Sequence, residues 1–449
     1  MALIDLRSRL VLLVLGFYLI LNVGFMLIRV PVVQVPIGEL LLVLYFLWIS
    51  DIKWINNFGR SVFLLPFLVL WVLGISQTLL GVQNHGVWAL RDATHIVDSL
   101  FIWIGFVCAA KPEFTERFFQ WFPKILLLAG IYILAFPAAP YLMQISPKIT
   151  ALAGYQAPIF FHYVNTPTLV FVGIAYLMLF DKKVLGIPNI YIVSMLAAFV
   201  LITNQSRTVY LQLAAMFFIL VLYRRHLLKN ILMMFSAMIL IGILILSLDI
   251  EITGRIGQKF SFEFIGKHFL SIFGIGSEGV SGAAAGSNMR LEWWGHLWRK
   301  LTSSEVSFFF GLGFGVPLTD FKINDLIVVR EPHNSAFSVF ARIGFIGLIA
   351  FIWMHVNLFR VWRGVYWRCA ANGDRNGQNN FLILLVYFIL TLVFCIGEDG
   401  LEKPFNAIPY YFFWGVILHY SLHLKNAMSV AKVEADTPGA QSSVAWRSK

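Results

Sequence analysis

"REPHNSAFSVFARIGFIGLIAFIWMHVNLF", residues 330–359, decides how this chain is read. From Ser335 onward it is an apolar run long enough to cross a bilayer, with Gly344 and Gly347 as small contact points. Arg330, Glu331 and His333 stand at its mouth, and Arg342 lies within its first turns. Charge beside lipid is costly, so charge retained there points to a partner or a task. Similar apolar runs recur almost end to end. The 449 residues are 59% hydrophobic and 13% charged, with a mean hydropathy of +0.78. A soluble chain of this length would divide into domains with charged surfaces, so an all-α polytopic membrane protein is expected instead.

At about 20 residues per crossing, twelve transmembrane helices are expected. They lie near 10–29, 37–50, 61–80, 96–110, 120–136, 166–180, 187–203, 208–223, 230–248, 334–359, 381–397 and 407–424. The first run follows "MALIDLRSR" without a small-residue cleavage site and reads as a retained helix. With the N-terminus inside, the inner segments carry 20 of the 34 basic residues and every inner loop is basic. Eight of the other basic residues fall in one long outer loop, 249–332, where the rule weakens. Residues 1–426 thus form one integral membrane unit with both ends cytoplasmic, and the tail 427–449 is expected to be disordered.

The +11 formal charge follows this loop pattern, so nucleic acid is not implied. Cys108, Cys369 and Cys395 are scattered, and no His-Glu-x-x-His or spaced acidic motif occurs. Neither a disulfide framework nor a metal is expected, and no cofactor is implied. "FGLGFG" (310–315) is glycine-rich but lacks the spacing of a nucleotide loop. "GSEGVSGAAAGSN" (276–288) reads as a flexible hinge or linker.

The orientation brings three basic residues to one face. Arg207 ("TNQSRTVY") lies in a short outer turn, Arg290 in the long outer loop, and His333 at the mouth of the tenth span. Singly, each has an ordinary reading as an interface anchor or a hydrogen-bonded structural residue. Together, two guanidinium forks and an imidazole can bind an anion, and phosphate oxygens at a membrane surface suggest a lipid diphosphate. Leu291, Trp294, Leu297, Trp298 and Leu301 share one helical face, as expected of a membrane-surface helix. Glu398, Asp399 and Glu402 form the outer acidic cluster, which reads first as a solvated turn, and otherwise as counter-charge to the arginines or as a group that positions a sugar hydroxyl.

The ordered series "SRT" (206–208), "MRLEWW" (289–294), "GLGFG" (311–315), "PHNS" (332–335) and "RIGFIGL" (342–348) resembles the bacterial O-antigen ligase and polymerase family. The resemblance implies a membrane glycosyltransferase (GT-C-like) fold with about twelve helices and a large periplasmic loop. It implies a glycan donor on undecaprenyl diphosphate at the outer leaflet of the inner membrane. For a ligase the acceptor is lipid A–core; for an O-antigen or exopolysaccharide polymerase it is another lipid-linked glycan. On these residues, Arg207 and Arg290 would hold the diphosphate and His333 would be the base, with a pKa near neutrality suiting that role. Asn334 would orient it, and Arg330, Trp294 and Arg342 would contact substrate. Family members often carry an acidic residue where this chain has Arg342. A metal-independent, inverting transfer follows, with the ligase favoured over the polymerase. A transporter of an anionic substrate is the rival class, but no internal repeat of the kind transporters show is present.

Overall fold

The computed structural model describes residues 6–30, 36–48, 64–150, 156–181, 183, 186–248, 261, 263, 266–267, 281–319, 321–323 and 327–436. They are predominantly helical. The only strands among them are two short antiparallel pairs, Lys148–Thr150 with Gln156–Pro158 and Lys322–Ile323 with Ile327–Val328. Each expected span overlaps helical residues, from Leu6–Leu21 to Pro404–Asp436. By length and composition four helices could cross a membrane alone, or five if Thr94–Ala109 and Pro112–Ile133, bent by 117°, count as one span. Thr166–Phe180, Asn189–Asn204 and Arg207–Tyr223 are apolar but shorter.

Two segments differ from expectation. Residues 427–436 extend the helix Pro404–Asp436 instead of starting a structureless tail, because "AMSVAKVEAD" is rich in Ala, Met, Glu and Lys, which are good helix formers. Residues 437–449 lie outside the described residues. Of the expected hinge, 281–288 open the helix Ser281–Leu301, where three consecutive alanines support helical backbone, and 276–280 lie outside the described residues.

Caps and packing set the frame. Asp374 Oδ1 accepts the Gly377 N–H and starts the helix Arg375–Gly397. Helix Pro404–Asp436 packs closely on Phe101–Ala109. A Cβ at Gly105 would run into the Phe412 carbonyl, and one at Gly415 into the Ile102 carbonyl, so this contact requires small residues on both helices. Inside lie Phe118, Phe388, Tyr410 and Trp414, whereas Val72, Leu79, Phe218, Leu232 and Leu240 face outward. An apolar exterior of this kind suits lipid as the surrounding solvent.

The helix Ser335–Ala371 is broken at Gly344 (φ 75°, ψ −174°). The break frees the carbonyls of Ala341 and Arg342, which would otherwise accept from the next turn. The glycine-rich loop replaces those donors: Leu312 N–H bonds the Ala341 carbonyl at 2.7 Å and Gly313 N–H bonds the Arg342 carbonyl at 3.1 Å. A Cβ at Gly344 would strike the Phe309 carbonyl, and one at Gly311 would meet the Arg342 backbone. The "GLGFG" and "RIGFIGL" glycines are therefore two halves of one backbone crossing.

Arg342 locks that crossing. It is 1% exposed and bonds Asp92 Oδ2 at 3.1 Å, Glu331 Oε1 at 2.7 Å and the carbonyls of Gly313 and Val316. Replacing it with methionine leaves buried carboxylates less compensated, a change that typically costs about 3–5 kcal/mol. The expected result is a clearly lower thermal midpoint for Arg342→Met in detergent. An unchanged midpoint would show that the network adds no stability.

Candidate active site

His333 sits where three helices end. Asn334 caps Ser335–Ala371 by accepting the Phe337 N–H at 2.9 Å, and its Nδ2 donates to the Ile396 carbonyl at 3.1 Å. This ties the start of one helix to the end of Arg375–Gly397. His333, immediately before the cap, has φ 53°, a left-handed conformation uncommon for a residue with a side chain. Such backbone strain is held by its surroundings and concentrates at functional positions.

Its imidazole is the centre of a row of charges. His333 Nδ1 lies 3.1 Å from both Glu398 Oε2 and Asp399 Oδ1. Arg290 Nη2 reaches Glu398 Oε1 at 3.3 Å, and Lys403 Nζ reaches Asp399 Oδ2 at 2.8 Å. The order Arg290, Glu398, His333, Asp399, Lys403 thus alternates in sign. Asp399 is 6% exposed, whereas about a third of the Arg290, His333 and Glu398 side chains remains open. The Trp293 ring lies 5.8 Å from the imidazole.

Arg207 opens the helix Arg207–Tyr223 and is close enough to Arg290 for the two charges to repel. Gly397 lies close to both helices of this contact: a Cβ there would meet Thr208 Oγ1 at 2.9 Å and Arg290 Nη1 at 4.0 Å. The structure therefore brings Arg207, Arg290 and His333 together at one end of the bundle. A bridging anion would offset the repulsion between the two guanidiniums, of which Arg290 is already paired with Glu398.

The near-neutral pKa expected for His333 is revised. Burial disfavours the charged ring, but the hydrogen bonds and charges of Asp399 and Glu398 outweigh it and raise the pKa to about 9. Burial alone would raise Asp399; Lys403 and His333 hold it well below the usual carboxylate range. Asp399→Asn removes one of the two stabilising charges. The His333 titration is expected to fall by roughly one unit or more, observable by imidazole NMR. No movement would assign the stabilisation to Glu398 alone.

Arg330 turns inward, bonding Asp92 Oδ1 at 3.1 Å, Asp92 Oδ2 at 2.6 Å and the Gly315 carbonyl at 2.7 Å, with its guanidinium 4.6 Å from the Trp88 ring. Arg342 is enclosed in the same network. Trp294 Nε1 donates to the Pro332 carbonyl at 2.8 Å, which steadies the approach to His333. Its ring also lines an apolar groove of about 170 Å³ with Phe337, Phe340 and Leu348. On the same helix Leu297 and Leu301 are buried against Leu318 and Phe340, while Leu291 stays exposed.

Sequence reasoning missed Asp92, which accepts from both Arg330 and Arg342. Burial would raise its pKa, but these arginines and Arg91 keep it below the usual value. A buried arginine near a membrane span requires an acidic partner, and that requirement was the available signal. Glu398 and Asp399 resolve as counter-charge, not as a solvated turn. Among the described residues, His333, Glu398 and Asp399 are the one group whose ligand atoms, within 4.8 Å of one another, could hold a metal. Arg290 and Lys403 already neutralise those carboxylates, so the donor set reads better as an ion-pair chain than as a metal cradle.

No curated protein matches the chain. A family model described as O-antigen ligase matches residues 192–352, the segment that holds Arg207, Arg290, the glycine-rich loop, His333 and the helix break at Gly344. Over that segment, about a third of its length, the chain is similar to the O-antigen ligase family.

Proposed function

We propose that the chain transfers a glycan from an undecaprenyl diphosphate-linked donor to a sugar hydroxyl of lipid A–core at the outer face of the bacterial inner membrane. The observation that carries this reading is the meeting of Arg207, Arg290 and His333 within the family-matched segment. The basic inner loops support an orientation with both ends cytoplasmic and this face outside.

In this mechanism the guanidiniums of Arg207 and Arg290 hold the diphosphate. The bond from the anomeric carbon to the diphosphate oxygen breaks, and the growing negative charge on the leaving group is stabilised by both forks. The acceptor oxygen forms the new bond from the opposite side, which inverts the anomeric centre. Its proton passes to His333 Nε2, while Asp399 and Glu398 hold Nδ1 and fix the ring. Two guanidiniums supply the positive charge that a metal would otherwise provide, so metal independence is part of the proposal. The groove between Trp294, Phe337, Phe340 and Leu348 suits the start of the donor's apolar tail.

A polymerase would use the same donor and the same residues with a lipid-linked repeat as acceptor. Purified protein given a lipid-linked glycan with and without lipid A–core separates the two. A glycan-shifted lipid A–core band supports the ligase. A ladder of longer lipid-linked chains without lipid A–core would replace it with the polymerase.

A further inference from the structure

A cavity of about 630 Å³ lies at the other end of the bundle from His333. Asn376 and Asn380 line it from the first turns of Arg375–Gly397, the helix whose last turn leads into Glu398. At 1.5 Å per residue the two ends of that helix are roughly 30 Å apart, about the thickness of a hydrocarbon core. The cavity therefore lies at the opposite membrane surface, the inner one in the orientation set by the basic loops.

Three helices each present a pair of residues four apart, and hence one face, to this space. Glu116 and Gln120 come from Pro112–Ile133, Tyr176 and Phe180 from Thr166–Phe180, and Asn376 and Asn380 from Arg375–Gly397. Phe119 and Tyr420 form a second aromatic pair in the lining, with ring centroids 6.4 Å apart, beside the Tyr176–Phe180 pair at 4.9 Å. Glu116 is the one carboxylate in the lining, His419 is its one basic side chain, and neither Lys nor Arg contributes to it. Gln120 Nε2 holds a Glu116 oxygen at 3.1 Å, which leaves the exposed carboxylate room for a further donor.

We propose that this cavity binds a lipid-borne primary ammonium, the headgroup chemistry of phosphatidylethanolamine. Aromatic faces attract a cation. The Glu116 carboxylate and the amide oxygens of Gln120, Asn376 and Asn380 can accept the three N–H bonds of an ammonium. Beyond His419 the lining offers no basic side chain, so a headgroup whose only charge is negative would meet the Glu116 carboxylate without the ammonium that offsets it, and the volume admits a headgroup with part of its glycerol. The site is independent of the transfer chemistry, so its failure would leave that reading untouched.

Native mass spectrometry of the delipidated full-length protein tests this, with phosphatidylethanolamine and phosphatidylglycerol of matched acyl chains supplied separately. The wild type is expected to retain phosphatidylethanolamine preferentially, and Glu116→Gln to retain it less by roughly fivefold. Phe180→Leu, which removes one aromatic face, is expected to weaken retention as well, and Arg290→Lys to leave it unchanged. Glu116 is exposed, so its substitution should leave folding intact. Equal retention of the two lipids, equal retention by Glu116→Gln, or displacement of the lipid by a neutral sugar would overturn the proposal.

Discussion

His333→Ala is expected to lower the transfer rate by about 10²–10⁴ while leaving the fold intact. The side chain is about one-third open and bonds outward to Glu398 and Asp399, so its removal opens no sealed cavity. It does leave two carboxylates without the charge between them, but Arg290 and Lys403 remain beside each. The loss should therefore appear in the rate constant for transfer and not in expression or thermal stability. Because the carboxylates raise the imidazole to about pH 9, the neutral form is the minor one at pH 7. A base acts in its neutral form, so the wild-type rate should climb as pH rises and level off near that value. In His333→Ala this limb should vanish. A flat wild-type profile from pH 6 to 9 would argue that the ring serves as a fixed cation instead.

Arg290→Lys and Arg207→Lys are each expected to lower transfer by about 10²–10³ without abolishing net positive charge. A lysine keeps the charge but not the planar fork that matches two phosphate oxygens. Arg290 has a second task, since it neutralises Glu398 at 3.3 Å before any donor arrives. In the proposed mechanism the donor diphosphate would compete with that carboxylate, and Glu398→Gln would remove the competition. Near-wild-type turnover in both lysine variants would refute a diphosphate clamp at these positions.

The helices were legible because apolar runs are local, and every expected span overlaps helical residues, though 10–29 and 96–110 each fall on two helices. The inside–outside alternation of those runs put Arg207, Arg290 and His333 on one expected face, but did not give how close they lie. The partners were not legible. Arg342 meets Asp92 across 250 residues and Arg290 meets Glu398 across 108, separations that periodicity cannot bridge. The glycine pairs were visible as motifs, but their reason, a broken helix whose freed carbonyls are met by a crossing loop, exists only in three dimensions. The His333 pKa was misjudged for the same cause: the shift comes from two carboxylates brought in by another helix.

Single-turnover transfer from a labelled undecaprenyl diphosphate glycan, followed from pH 6 to 9 with both acceptor classes, tests the central claim most directly. Wild-type protein is predicted to form product whose rate rises towards pH 9, and His333→Ala to form almost none. Equal product from the two proteins, or none from wild type with an authenticated donor and either acceptor, would contradict glycan transfer at this site.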